Sequence, residues 1–282
     1  EMVASGFGDT IGKLTSRMEW KLSNLITGED YCTVIVDLVS QAAERAVTEA
    51  DAIGDGRQDA IASLTEALLV SGVAMALAGN SRPASGTEHS FAHYWEMKAQ
   101  LTGGREFFHG TNVGVGTVVT SIFARAFFRR DPRRVDLQQV ESTRRSIEDV
   151  ERELRAALGP VAEPNIASVT QLEHLSWEAQ QFQIRALQEK WDEIRALKED
   201  LPDPQDVVGA LRAAGGPALP AEVEVSRDLL RETLLLAKEV RSRYTVLRAA
   251  ETLGWLDGLV DEVVEETEAL SYPVPVEVLP AA

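Results

Sequence analysis

The sequence predicts an all-α fold, and three observations carry that reading. Apolar residues recur at three- and four-residue spacing through most of the 282-residue chain. The main glycine and proline clusters (Gly54-Asp55-Gly56, Gly79 to Pro83, Gly103-Gly104, Gly215-Gly216-Pro217) fall between the periodic segments, where they act as stops. Nowhere do strand-like runs alternate with helical ones as a βαβ unit requires.

Taken in order, a first helix is expected over 5–26, with Ile11, Leu14, Met18, Leu22 and Leu25 on one face and Asp9 in its first turn, where the helix dipole favours an acid. Thr27-Gly28 ends it. A second is expected over 30–52, where the helical period of Ile35, Leu38, Val39, Ala42 and Ala46 overrides the strand-like triplet 34–36. The third, 57–78, turns almost wholly apolar from Ala67 and is expected to be buried on all sides. After the break at 79–83, Ser85 with Glu88 three residues on reads as a capping box for a helix running to Leu101. Another follows over 110–129.

Segment 134–157 is charged, with Glu141–Arg145, Glu148–Arg152 and Glu151–Arg155 at the spacing of exposed helix pairs. A long amphipathic helix is expected over 166–200, shorter ones over 204–214 and 226–241, and a last one including 241–256. One helical domain over 1–270 and a loose proline-rich tail over 271–282 complete the organisation. The chain opens at Glu1 in sequence that is patterned at once, so an upstream segment is expected.

Composition narrows the function. Forty-five acidic against 28 basic side chains give a net charge of −17, which repels phosphate backbones and anionic headgroups, so neither nucleic acid nor a membrane surface is an expected partner. The arginine-rich stretch 125–134 reads as a solvated helix end. Cys32 is the only cysteine, so neither an intrachain disulfide nor a thiolate metal cluster can form, as befits a reducing, cytoplasmic setting. The longest uncharged run, 67–81, is shorter than the ~20 residues that cross a bilayer.

The chemistry concentrates at Ser81–Thr117. Three of the four histidines in the chain, His89, His93 and His109, fall there. Imidazoles and a carboxylate suit zinc, iron or nickel better than magnesium, and a catalytic metal takes about three such protein ligands. Spacing alone makes His89 and His93, one turn apart, the ligand pair. His174, on a charged segment, reads as a surface residue. The VGVGT at 113–117 has no preceding strand and reads as close helix packing rather than a phosphate loop.

Three stretches, GFGDTIGKLTSRMEWKLS (6–23), SGVAMALAGNSRPASGTEHSFAHYWE (71–96) and FHGTNVGVGT (108–117), resemble the sn-glycerol-1-phosphate dehydrogenase family, and RSRYTVLRAAETLGWL (241–256) fits it too. That family belongs with dehydroquinate synthases, glycerol dehydrogenases and iron-containing alcohol dehydrogenases. The resemblance implies a two-domain protein in which an N-terminal α/β domain binds NAD(P) and a C-terminal helical domain holds the metal. This chain matches the second part, the coenzyme domain being absent. Carried over, the resemblance replaces the spacing-based pair: Asp9, His89 and His109 become the metal ligands, and His93 becomes the substrate-facing catalytic residue beside Asp9. It further implies Zn2+ or Ni2+, NAD(P)H, a phosphorylated ketone as substrate and a homodimer. The reaction implied is reduction of glycerone phosphate to sn-glycerol 1-phosphate for phospholipid synthesis. Lys13, Arg82 and Arg243 are candidate phosphate contacts. A polyol dehydrogenase of the same superfamily and a non-catalytic metal-binding module are the alternatives.

Overall fold

The apolar period folds into helices alone among the described residues, 1–172 and 176–270 of the computed structural model, with side chains described to 167 and from 176. In chain order these are α1 (Met2–Ile11), α2 (Lys13–Thr27), α3 (Thr33–Thr48), α4 (Ala50–Gly54), α5 (Gln58–Ala78), α6 (Thr87–Thr102) and α7 (His109–Phe128). There follow α8 (Leu137–Ser142), α9 (Ile147–Leu158), α10 (Ala162–Leu172), α11 (Trp177–Glu189), α12 (Trp191–Ala196), α13 (Pro204–Ala213), α14 (Arg227–Leu236), α15 (Val246–Thr252) and α16 (Leu256–Leu270). Gly79 and Gly103 end α5 and α6 with φ of 70° and 68°, a left-handed conformation that costs glycine nothing, so both predicted stops stand.

Helix α7 is the axis of the molecule. From Gly110 to Phe128 nearly every residue is buried, and α1, α6, α13 and α16 pack around it. Its closest neighbour is α1, and glycine makes the approach possible. A Cβ on Gly110 would lie 2.0 Å from the Ser5 carbonyl oxygen, and one on Gly8 would lie 2.2 Å from the Gly110 carbonyl oxygen. Gly114 continues the contact, since a Cβ there would lie 3.0 Å from Gly8 Cα, so the glycines of VGVGT do serve close packing.

The predicted helix over 5–26 divides at Gly12 into α1 and α2 and begins earlier, at Met2. Asp9 therefore lies toward the end of α1 rather than in its first turn, and the dipole does not support it. Helix α5 is also not buried all round. Leu64, Ala67 and Ala74 face inward, whereas Leu69, Val73 and Leu77 are more than half exposed. With Val34 and Leu38 of α3 also exposed, these residues give the molecule an apolar outer surface. By length and composition alone α5 and α7 could each cross a bilayer, but α7 is the core.

The later helices are shorter than their patterns suggest. The 166–200 run breaks into α10, α11 and α12: Ser176 caps α11 by accepting from Ala179 N at 3.2 Å, and Lys190 leaves helical geometry at ψ 12°. The charged segment splits at 143–146, so Arg145 pairs with Glu153 at 2.7 Å instead of Glu141, and Arg152 with Asp149 instead of Glu148. Glu151–Arg155 forms as expected, at 3.0 Å. Arg125, Arg129, Arg130 and Arg133 of this stretch are engaged by acids, Arg129 and Arg130 by Glu262 of α16 at 2.6 and 3.1 Å, as a helix end and not a binding patch. His174 and the 271–282 tail lie outside the described residues.

The expected last helix also starts late. Residues 240–245 are an irregular strap between a 3-10 turn (Ala237–Glu239) and α15. A buried charge cluster pins its two ends. Lys238 Nζ lies 3.0 Å from Glu239 Oε1 and 3.2 Å from Glu251 Oε1, while Arg248 Nη2 meets Glu239 Oε2 at 2.8 Å. Removing Lys238 takes one cation from two carboxylates and leaves Arg248 to hold both, Glu239 at 2.8 Å and Glu251 at 2.7 Å. Lys238→Ala is therefore expected to cost up to about 3 kcal/mol, the low end for breaking a buried pair, read as a fall in melting temperature of roughly 6–12 °C. Burial alone would raise Glu239, but Lys238 and Arg248 bring its carboxyl down from an ordinary 4.5 to about 2. A depressed carboxyl stabilises the fold above its unfolded pKa, so this contribution is full above about pH 5 and fades as pH falls toward 2, which an acid titration of the melting temperature checks.

Candidate metal centre

The site is built where α1, α6 and the first residue of α7 meet. Helix α6 does not start from a Ser85 cap. Two buried glutamates do that work instead. Glu19 of α2 accepts from Thr87 N and Thr87 Oγ1, both at 2.6 Å, and Glu88 accepts from Gly86 N at 2.6 Å and from Thr15 Oγ1 at 2.9 Å. Acids at a helix N-terminus satisfy its free N–H groups. Gly86 leaves room for them, since a Cβ there would sit 2.3 Å from Glu19 Oε2. Burial, with the charge of Glu88 added, pushes the Glu19 carboxyl up to about 7. Burial acts on Glu88 in the same direction, but the hydrogen bond from His89 holds it below its ordinary value.

From this start α6 presents His89, His93 and Glu96 at four- and three-residue spacing, on one face. His89 Nε2 lies 3.3 Å from Asp9 Oδ1 of α1. His109 sits across from both, its ring centroid 5.3 Å from His89 and 4.9 Å from His93. Two overlapping groups result. Donor atoms of Asp9, His89 and His109 lie within 4.8 Å of one another, and so do those of His93, Glu96 and His109.

What backs each donor separates the two groups. In the first, Lys13 Nζ takes Asp9 Oδ2 at 2.8 Å, Glu88 takes His89 Nδ1 at 2.9 Å, and Glu96 takes His109 Nδ1 at 2.7 Å. Asp9 Oδ1 and His89 Nε2 are left facing each other at 3.3 Å, with His109 beside them, and each of the three side chains is held in orientation by a second residue, an arrangement typical of metal ligands. In the second group Glu96 spends one oxygen on His109 Nδ1 at 2.7 Å and the other on His93 Nδ1 at 3.2 Å, so a metal there must displace both, whereas in the first group only the longer 3.3 Å contact of Asp9 with His89 Nε2 gives way. Burial alone would raise both acids. Hydrogen bonds from His109 and His93 hold Glu96 at about 2, and His89 and Lys13 hold Asp9 well below the carboxylate range, so both are ionised. Exposure rises across the site from His89 at 8% through Asp9 at 26% to His109 at 40%, which leaves one side open.

His93 lies on that open side, part-buried and 28% exposed. The Glu96 hydrogen bond would raise it, but burial together with the charges of Arg241 and His109 lowers its pKa overall. Arg241 Nη2 lies 2.6 Å from His93 Nε2. A guanidinium can only donate, so this nitrogen accepts and the proton of the neutral ring sits on Nδ1, toward Glu96. A recess of about 250 Å3 opens here, lined by His93, Glu96, Met97, Gln100, Val240 and Arg241. A larger cleft of about 590 Å3 lies on the far side of Glu96 and His109, between α6 and α14.

The structure thus brings Asp9, His89, His93 and His109 together. It treats the phosphate candidates differently. Lys13 is buried and bound to Asp9. Arg82 is buried against Glu29, with contacts at 2.6 and 2.8 Å. Neither is available to an anion. Arg243 donates to the Ser85 carbonyl oxygen at 2.5 Å and to Ser81 Oγ. Spacing could not find Glu88, because neighbours on a helix point in different directions. Glu96 stands three residues after His93, and that helical spacing is a signal that could find it. Arg241 was hidden by reading its strap as helix.

No protein-family model matches the chain. Among curated proteins it is 32% identical over 259 residues to the glycerol-1-phosphate dehydrogenase [NAD(P)+] of Bacillus licheniformis, covering 92% of this chain and 51% of that protein. The protein of the same name from Halalkalibacterium halodurans is 29% identical over 246 residues, 87% of this chain and 51% of the relative. That from Thermococcus kodakarensis is 38% identical over 117 residues, 42% of this chain and 32% of the relative. The chain spans about half the length of the long bacterial relatives it matches, and the match is to their C-terminal part.

Proposed function

From homology to the C-terminal part of glycerol-1-phosphate dehydrogenases, we propose that this chain is the metal- and substrate-binding part of such an enzyme, acting on glycerone phosphate with NAD(P)H. The observation that carries the reading is the convergence of Asp9, His89 and His109, each with its remaining polar atom held by Lys13, Glu88 or Glu96. Those three would hold Zn2+ or Ni2+. A bound ion of this kind supplies a Lewis acid for the ketone oxygen, and the coenzyme supplies the hydride.

The chain's own residues do the rest. Two neutral imidazoles and one carboxylate leave a dication net positive, as polarising a carbonyl requires. Glu96 fixes both His109 and His93, so ligand and substrate-facing histidine keep one register. His93 Nε2, at the recess, can accept a hydrogen bond from a substrate hydroxyl or take up that hydroxyl's proton once Arg241 turns away from it. The reading also carries a cytoplasmic homodimer. Its rivals are a polyol dehydrogenase and a metal-binding module without activity. The test is turnover by the full-length protein with NAD(P)H: glycerone phosphate is expected to be reduced far faster than unphosphorylated glycerone. The reverse preference favours the polyol enzyme, and no turnover with metal bound favours the module.

A further inference from the structure

Resting on that reading of the site, we propose that Arg241, with Arg243 behind it, recognises the phosphomonoester end of the substrate, and that Arg241 covers His93 Nε2 until an anion takes its place. The two side chains come from the strap 240–245, which lies over the entrance to α6. Arg241 lines the recess that His93 opens onto, and reaches Ser85 Oγ at 3.4 Å and His93 Nε2 at 2.6 Å. Arg243 binds the Ser85 carbonyl oxygen at 2.5 Å, so Ser85 joins both arginines to the start of α6.

What sets this pair apart is the lack of a counter-ion. The other well-buried arginines of the region are neutralised by contact: Arg82 by Glu29 at 2.6 Å, Arg248 by Glu239 at 2.8 Å, Arg145 by Glu153 at 2.7 Å. Among the described residues neither Arg241 nor Arg243 has a carboxylate within ion-pair distance, although Glu88 and Glu96 act on Arg241, and Glu88 and Glu29 on Arg243, from farther off. Burial and the charges of Arg241 and Arg82 bring Arg243 down to about 10, so two cations are held side by side at a cost that an anion would relieve. A guanidinium's planar fork suits a phosphate's paired oxygens better than it suits an imidazole nitrogen. A phosphate at Arg241 therefore draws donors away from His93 Nε2 and frees that nitrogen toward the reacting end of the same small molecule.

The experiment uses the full chain, freed of metal with a chelator so that phosphate cannot be bound through the ion, and titrated calorimetrically with inorganic phosphate. Arg241→Ala is expected to weaken binding by roughly 10- to 100-fold, the loss of a hydrogen bond to a charged group, and Arg241→Lys by less. Arg212→Ala, on an exposed arginine remote from the strap, is expected to change nothing and controls for net charge. In 15N spectra the His93 Nε2 resonance should move when phosphate is added to wild type and stay still in Arg241→Ala, a response that a merely structural arginine would not give. Phosphate binding equal to wild type in a folded Arg241→Ala protein overturns the inference, as does wild type that melts normally and binds no phosphate. Zinc titration of the same samples separates the two ideas. Zinc bound without a phosphate site refutes this inference alone, and phosphate bound without a zinc site refutes the metal-enzyme reading alone.

Discussion

Replacing Gly110 with alanine is expected to unlock the molecule at its axis and weaken the metal site with it. The new Cβ would stand 2.0 Å from the Ser5 carbonyl oxygen and 2.8 Å from the carbon behind it, with backbone on both sides. Neither partner can rotate away, so α1 and α7 must part by about 1 Å or more to restore an ordinary contact. Overpacking a core costs roughly 1–3 kcal/mol, and a backbone-against-backbone clash belongs at or above the top of that range. The melting temperature should fall by about 6–12 °C. Because Asp9 rides on α1 and His109 opens α7, zinc affinity should drop as well, by at least about tenfold given how sharply metal sites depend on ligand placement. Gly8→Ala should behave alike, its Cβ meeting the Gly110 oxygen at 2.2 Å. Gly72→Ala is the control: nothing lies within 4 Å of its Cβ, and alanine in an exposed helix should leave stability equal or up to about 1 kcal/mol higher. Equal melts for Gly110→Ala and Gly72→Ala would refute the proposed crossing.

The second large effect concerns which donors hold the ion. His89→Ala and His109→Ala are each expected to lose zinc by more than about 100-fold, since removal of a supporting residue alone costs 10- to 100-fold and these are ligands. His93→Ala should retain zinc and lose turnover in the full-length enzyme. Competition against a chromogenic chelator measures all three. Because His109 is common to both possible groups, His89 and His93 decide between them. Zinc lost in His93→Ala and kept in His89→Ala would assign the ion to His93, Glu96 and His109. Glu96→Gln should weaken zinc by roughly 10- to 100-fold while leaving all three Asp9-set ligands in place, because His109 then loses the carboxylate that orients it.

Much of the helical order was legible because period is a local property. Ile11, Leu14, Met18, Leu22 and Leu25 mark one face whatever they pack against, and all five are buried. The strand-like triplet at 34–36 folded within α3, as the longer period indicated. Where the outcome depended on neighbours, local pattern misled. The apolar run of α5 could not show that its outer face would lack a covering layer among the described residues. The 166–200 pattern could not show that Ser176 would start a new helix, and the period across 241–256 concealed an irregular strap.

For the site, composition and spacing gathered His89, His93 and His109 into one short stretch and, by spacing alone, paired the first two. Resemblance to a family reassigned that pair and brought in Asp9. The sequence by itself thus determined the helical class, the main stops and the residue types available for the chemistry, since these follow from period, backbone freedom and side-chain chemistry within a few residues. Only the tertiary structure decided which atom of each side chain is free. It turned the Nδ1 atoms of His89 and His109 onto Glu88 and Glu96, spent Lys13 on Asp9 and Arg82 on Glu29, and left Arg241 and Arg243 without an acid in contact. Two of these pairings are local, Lys13 with Asp9 and Glu88 with His89, but Glu96 with His109 and Arg82 with Glu29 join segments that meet only when the helices pack, and no local pattern encodes such a contact.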